Sequence, residues 1–297
     1  MSHPPTSPAN TQISPPRSSR HSTRLKQFLQ TVVRDDLLIE CQLLLLSFSI
    51  GIQDAASFPD YHCFASNQTG NTVLLAAGAA KLTALFSLSN IGTSLSMFVL
   101  GAFLLGQLGN HLGPRKRWWL ILTSVFQTAL VFAAAALQYS GPNPVEATGP
   151  TALAVLSLLA FSSGAQVAMA RGLQITEITT AMATAAYVDV LIDEKLFVKR
   201  NRKRNRRIAF LFSLFIGSFA GAFAYKARGT SGGYCPTSGN LLAVYAIRAM
   251  NTSNGTVMHP IAIERGIIAI ITNNTTTSKA TATGAATGAG STLAAIK

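Results

Sequence analysis

The chain has 297 residues, 48% of them hydrophobic and only 12% charged, yet its formal net charge is +13. So few ionised groups cannot cover a soluble surface of this size, and composition therefore points to an all-α, polytopic helical membrane protein. The basic excess sits beside apolar stretches, as membrane signals do, so no nucleic-acid partner is expected.

Residues 1–35, rich in Ser, Pro and Thr, read as a disordered cytoplasmic tail with no cleavable signal. A transmembrane domain then occupies 36–226. Its five predicted spans are 37–58, 91–114, 118–145, 147–170 and 208–225. Each can cross a hydrocarbon core of roughly 30 Å, which takes about 20 apolar helical residues. Arg17, Arg20, Arg24, Lys26 and Arg34 precede the first span, Arg115 to Arg117 join the second to the third, and KRNRKRNRR abuts the fifth. The alternate segments carry one basic residue, Lys81. The positive-inside rule then places the N-terminus in the cytoplasm, in a plasma membrane or an endomembrane.

Between the first two spans lies SNQTGN followed by an apolar run too long for an ordinary loop and too short for a crossing. A half-length or re-entrant helix over 72–80 would rise only about 14 Å. SNQTGN would be its entry turn, with Thr69 as cap, Gly70 in an unusual dihedral and the free N–H groups facing a polar cavity. A second copy follows the fourth span. Gly164-Ala165-Gln166 aligns with Gly51-Ile52-Gln53, and Thr184-Ala185-Ala186 with Thr69-Gly70-Asn71 after a two-residue change in spacing. Three spans separate the copies, so they would form an inverted repeat of the kind that places transporter sites between halves. Capped interfacial helices without a ligand would fit the same residues.

GIQDAASF followed by FASNQTGNTVLLA resembles the YoaK-type family, multi-pass membrane proteins that carry domain of unknown function 1275. The resemblance covers about residues 37–225. It implies about six helices and no established activity. The second half departs from it, with Thr184-Ala185-Ala186 where a Thr-Gly pair is usual. The sixth span that the resemblance calls for is missing after Tyr225, where residues 227–297 form a low-complexity Thr/Ala/Gly-rich tail. That tail is either a frame or splicing artefact or a natural Thr-rich extension.

The candidate substrate-binding residues are Gln53, Asp54, Asn67, Thr69, Gly70, Asn71, Gln166, Thr184 and Asp189. Asp54 is an intramembrane carboxyl, while Glu40 reads as solvated at the cytoplasmic edge. Cys41, Cys63 and Cys235 suggest neither disulfides nor metal ligation. The five histidines form no HxxxH pair, and no Gly-x-Ser-x-Gly or cofactor loop occurs. No catalytic residue, metal or cofactor is therefore expected, and the chain does not read as an enzyme. A small-solute transporter or permease-like carrier in the lipid bilayer leads. A non-transporting scaffold whose basic loops bind anionic lipid headgroups is the alternative, with an intramembrane enzyme behind it.

Overall fold

The computed structural model describes residues 30–33, 37–140 and 147–230. Expectations for most of the N-terminal tail, for Cys235, for a sixth span and for the Thr-rich tail fall outside these residues. Within them the chain forms seven helices: α1 (Leu37–Tyr61), α2 (Gln68–Ala79), α3 (Leu88–Leu112), α4 (Arg117–Ser140), α5 (Pro150–Gly172), α6 (Ala183–Leu191) and α7 (Arg202–Thr230). No strand occurs among the described residues beyond an isolated bridge between Val32 and Lys116. Five helices, α1, α3, α4, α5 and α7, are long and apolar enough to cross a membrane. The chain is an all-α, multi-pass integral membrane protein.

Helix ends follow local chemistry. Ser87 caps α3 by accepting the Asn90 N–H at 3.3 Å, and Pro150 occupies the first turn of α5, where its missing N–H costs nothing. α1 and α5 stop alike, each followed by a non-glycine residue in the left-handed region, His62 (φ 54°) and Gln174 (φ 61°). A short buried loop then leads into a short helix. α2 and α6 would rise only about 18 and 14 Å, well short of a bilayer core.

The two ends of the bundle sort the loops. At one end Val33 donates to the Arg115 carbonyl at 2.9 Å and the Arg117 N–H to that of Thr31 at 3.2 Å, so two basic segments meet. Glu40 joins them to the third through Arg202 at 2.5 Å and Arg206 at 2.7 Å. At the opposite end Asn90 donates to the carbonyls of Tyr61 and Ala147, and Asp60 accepts from Gln138 and Tyr225. This is the alternation that the charge pattern requires.

Packing reveals the repeat. α7 lies along α1, and α3 lies along α5. Four glycines permit these approaches. A methyl group on Gly217 would stand 2.1 Å from the Phe48 carbonyl oxygen, and one on Gly51 would stand 2.4 Å from that of Leu214. In the other pair a methyl on Gly101 would stand 2.3 Å from the Phe161 oxygen, and one on Gly164 would stand 2.1 Å from that of Phe98. Phe48 and Gly51 lie 113 positions before Phe161 and Gly164, while Phe98 and Gly101 lie 116 before Leu214 and Gly217. One helix crossing is therefore built twice, with first-half and second-half partners exchanged.

Candidate functional site at the junction of the two halves

Two buried glutamines join the halves. The Gln53 amide on α1 donates to the Leu159 carbonyl at 3.2 Å and to Ser163 Oγ at 3.0 Å on α5. The Gln166 amide on α5 donates back to the Leu46 carbonyl on α1 at 3.4 Å. Each glutamine thus reaches the carbonyl seven positions before the other. The later residue of one helix meets the earlier residue of its partner, so α1 and α5 run antiparallel and the contact obeys a local two-fold. That is the geometry of an inverted repeat, and it pairs the two glutamines that the alignment of Gly51-Ile52-Gln53 with Gly164-Ala165-Gln166 made equivalent. Around them Ser49, Ser57, Ser162 and Gln127 are also buried. The Gln127 carbonyl accepts the Ser162 hydroxyl at 3.3 Å, while its own Nε2 has no partner. A bilayer-spanning protein keeps uncharged polar groups inside only where they are paired or serve a purpose.

The SNQTGN run folds differently from the entry turn expected of it. Asn67, not Thr69, caps α2: its Oδ1 accepts the Gly70 N–H at 3.1 Å, and the helix starts at Gln68, inside the polar run. Asn67 accepts the N–H three residues on and starts the helix one residue before Thr69, so the cap lies upstream of Thr69. Gly70 is helical rather than unusual in dihedral. Its constraint is space, since a methyl there would come within 3.0 Å of the Phe64 ring. Thr69 is exposed.

Asn71 is fully buried and spends its amide within the fold. Its Nδ2 donates to the Phe64 carbonyl at 2.7 Å and to Ser94 Oγ at 3.1 Å, and its Oδ1 accepts the Phe64 N–H at 2.9 Å. A side chain here does what a neighbouring strand would do for residue 64, and the loop needs no other backbone partner. Asp54 anchors the same loop one step on. Its carboxylate accepts the Ser66 N–H at 2.8 Å and the Ser66 hydroxyl at 2.6 Å. Cys63, enclosed between these groups, has its thiol pushed up to about 12, by burial first and by the Asp54 charge second.

The second half keeps the shape and changes the chemistry. Ala186, 115 positions after Asn71, and Phe210, 116 after Ser94, are both buried and belong to one apolar cluster with Ile175 and Ile178. Thr184 is exposed, and Asp189 pairs with Arg207 at 3.2 Å. The predicted half-sites therefore do not converge. α2 packs on α3 and α6 on α7, near opposite ends of the bundle, and of the predicted residues only Gln53 and Gln166 reach across to the other half's helix.

Glu40 is not a solvated edge residue. It is held by Arg202 and Arg206, and Arg206 reaches on to Glu177 at 3.5 Å, in a largely buried cluster. Sequence reading missed Glu177, Asp60, Ser94 and Ser163. Glu177 had a signal, a lone carboxylate between Ile175 and Ile178 in a loop rich in threonine. Asp60 falls outside a span ended at residue 58, whereas α1 continues through Pro59 to Tyr61.

Among known families, the model for the protein of unknown function DUF1275 matches residues 42–247, and the chain belongs to that family. The match starts five residues later and ends 22 residues beyond the resemblance read from sequence. Neither the curated proteins nor the solved structures contain a match.

Proposed function

We propose that this DUF1275-family membrane protein is a permease-like carrier for a small, uncharged polar solute. The observation that carries the reading is the reciprocal bridge of Gln53 and Gln166 across antiparallel, equivalent helices. Carriers built from inverted repeats bind where the halves meet and expose the site alternately by rocking one half on the other. A bridge made only of amide and hydroxyl groups suits such motion. Its bonds can be exchanged for bonds to a solute, and no buried charge is stranded when they break. The absence of an ionised side chain from the bridge favours a neutral solute rich in hydrogen-bonding groups.

In this reading Asp54, Asn67, Gly70 and Asn71 hold the first-half hairpin in shape, and Thr184 and Asp189 lie away from the solute. The chain acts without cofactor or metal and catalyses no reaction. Its N-terminus and its basic loops face the cytoplasm, where anionic headgroups concentrate.

The test is flux. The purified full chain is reconstituted in liposomes and assayed for counterflow of radiolabelled neutral amino acids, monosaccharides, polyols and nucleobases. At least one class should exchange saturably, and Gln53→Leu and Gln166→Leu should each reduce its rate about tenfold, the cost of one unpaired buried hydrogen bond. If no class exceeds protein-free liposomes while the protein remains monodisperse, the carrier reading fails.

A further inference from the structure

A cavity of about 490 Å³ opens at the end of the bundle that carries the basic run. Its basic side is formed by Lys199, Arg200 and Arg202, and its floor by Leu44, Ile178 and Ala209. Glu40 and Arg206 also line it, but they hold each other, and Arg206 holds Glu177 as well. Lys199 and Arg200 differ from them. Both are exposed, and among the described residues neither has a carboxylate within ion-pair distance. Two uncompensated cations thus share one cavity with an aliphatic floor, at the level where a spanning helix leaves the hydrocarbon. A ligand matching both surfaces carries an anion on an apolar body.

We propose that this cavity binds an anionic phospholipid from the adjoining leaflet. Its phosphate would lie against Lys199 and Arg200, and the start of its acyl chains against Leu44, Ile178 and Ala209. Free phosphate shares the anionic chemistry but leaves the apolar floor uncovered and most of the volume empty. A bound lipid would also join the first turn of α1 to the loop that feeds α7, the pair of helices in which first-half and second-half partners are exchanged. The site is distinct from the glutamine bridge and does not depend on transport.

The experiment follows the melting temperature of the full chain in a non-ionic detergent. The chain is titrated separately with dioctanoyl phosphatidylglycerol, dioctanoyl phosphatidylcholine and inorganic phosphate. Phosphatidylglycerol should raise the melting temperature saturably, and the other two should not. Lys199→Gln with Arg200→Gln should weaken the apparent affinity roughly thirtyfold, from an attraction of about 1 kcal/mol per basic residue to an anionic headgroup. Lys195→Gln with Lys203→Gln removes the same charge from either side of this pair without touching the cavity, and should leave the affinity unchanged. If the first pair lowers the unliganded melting temperature, its single variants are read in the same titration and should each lose part of the affinity. An equal response to phosphatidylcholine overturns the proposal. So does a full shift with inorganic phosphate, which would make the ligand a free anion, or an equal loss in both double variants, which would make the attraction a diffuse one.

Discussion

The two hairpins that follow α1 and α5 have the same outline and opposite interiors. In the first, Asn71 and Ser94 fill the space beneath the loop and tie its backbone at Phe64. In the second, Ala186 and Phe210 join an apolar cluster with Ile175 and Ile178, and the loop's buried polar residues, Glu177, Thr179 and Thr180, lie elsewhere in it, Glu177 paired with Arg206. One backbone arrangement can be held by a medium and a small polar side chain or by a very small and a large apolar one, because the pair fills the gap and satisfies what it buries. The repeat is thus a repeat of volumes and close approaches rather than of residue types. The glycines recur because any side chain there would collide with a carbonyl oxygen, the glutamines recur at equivalent positions, and the wedge residues differ.

Four measurements test the equivalence of the two halves. The largest effect is expected at the helix crossings. Gly164→Val and Gly217→Val each place a side chain where even a methyl would stand 2.1 Å from a carbonyl oxygen, so neither variant should yield monodisperse protein. The milder Gly51→Ala and Gly101→Ala should destabilise by about 1–3 kcal/mol each. Thermal melts in detergent give the ranking, and a large cost at one crossing with none at the other would contradict equivalent crossings.

Next come the wedges. Asn71→Leu leaves the Phe64 N–H without its partner and its carbonyl with Ser94 alone, and should cost about 1–3 kcal/mol, whereas Ala186→Ser should cost about 1 kcal/mol or less. Cys63 reports the difference. With its thiol raised to about 12 and buried, it should resist N-ethylmaleimide at neutral pH and become alkylated in Asn71→Leu. Unchanged protection in that variant would show that the loop does not depend on Asn71.

The bridge comes third. Gln53→Leu and Gln166→Leu should each lower stability by about 1 kcal/mol, and Gln53 should be the more costly because it donates twice. Near-zero costs at both positions would show that the bridge does not hold α1 against α5.

The smallest effect concerns the loop between α6 and α7. Asp193 is held below the ordinary aspartate value of 3.8, chiefly by the Lys195 N–H, then by the Asn201 amide and by Arg207. A depressed carboxyl pKa contributes stability above the unfolded value and loses it as pH falls through the folded one. Amide exchange in residues 193–201 should therefore be slow and flat above about pH 4 once corrected for intrinsic rates, and should quicken below it. Asp193→Asn should exchange faster at every pH, and a flat profile below pH 4 would remove the latch.

How much was legible depends on which interactions are local. The five spans and the sorting of their loops by charge follow from hydropathy and basic residues alone, because a bilayer imposes length and sidedness on each segment separately. The half-length helix after α1 was legible for the same reason, and so was the equivalence of Gln53 and Gln166, once two copies of one pattern were aligned; that each bonds to the opposite helix was not. The cap at Asn67 instead of Thr69, the enclosed Asn71, and the binding of Glu40 by Arg202 and Arg206 were not legible. A hydrogen-bonding side chain takes whichever partner the fold brings within about 3 Å, and those partners lie as many as 166 positions away along the chain. Hydropathy and charge along the chain fix a multi-pass helical protein, and the aligned motifs raise an inverted repeat beside the alternative of two capped interfacial helices. Tertiary structure alone decided which polar residues join the two halves and which are spent holding a loop, since that choice rests on distances that no local pattern encodes.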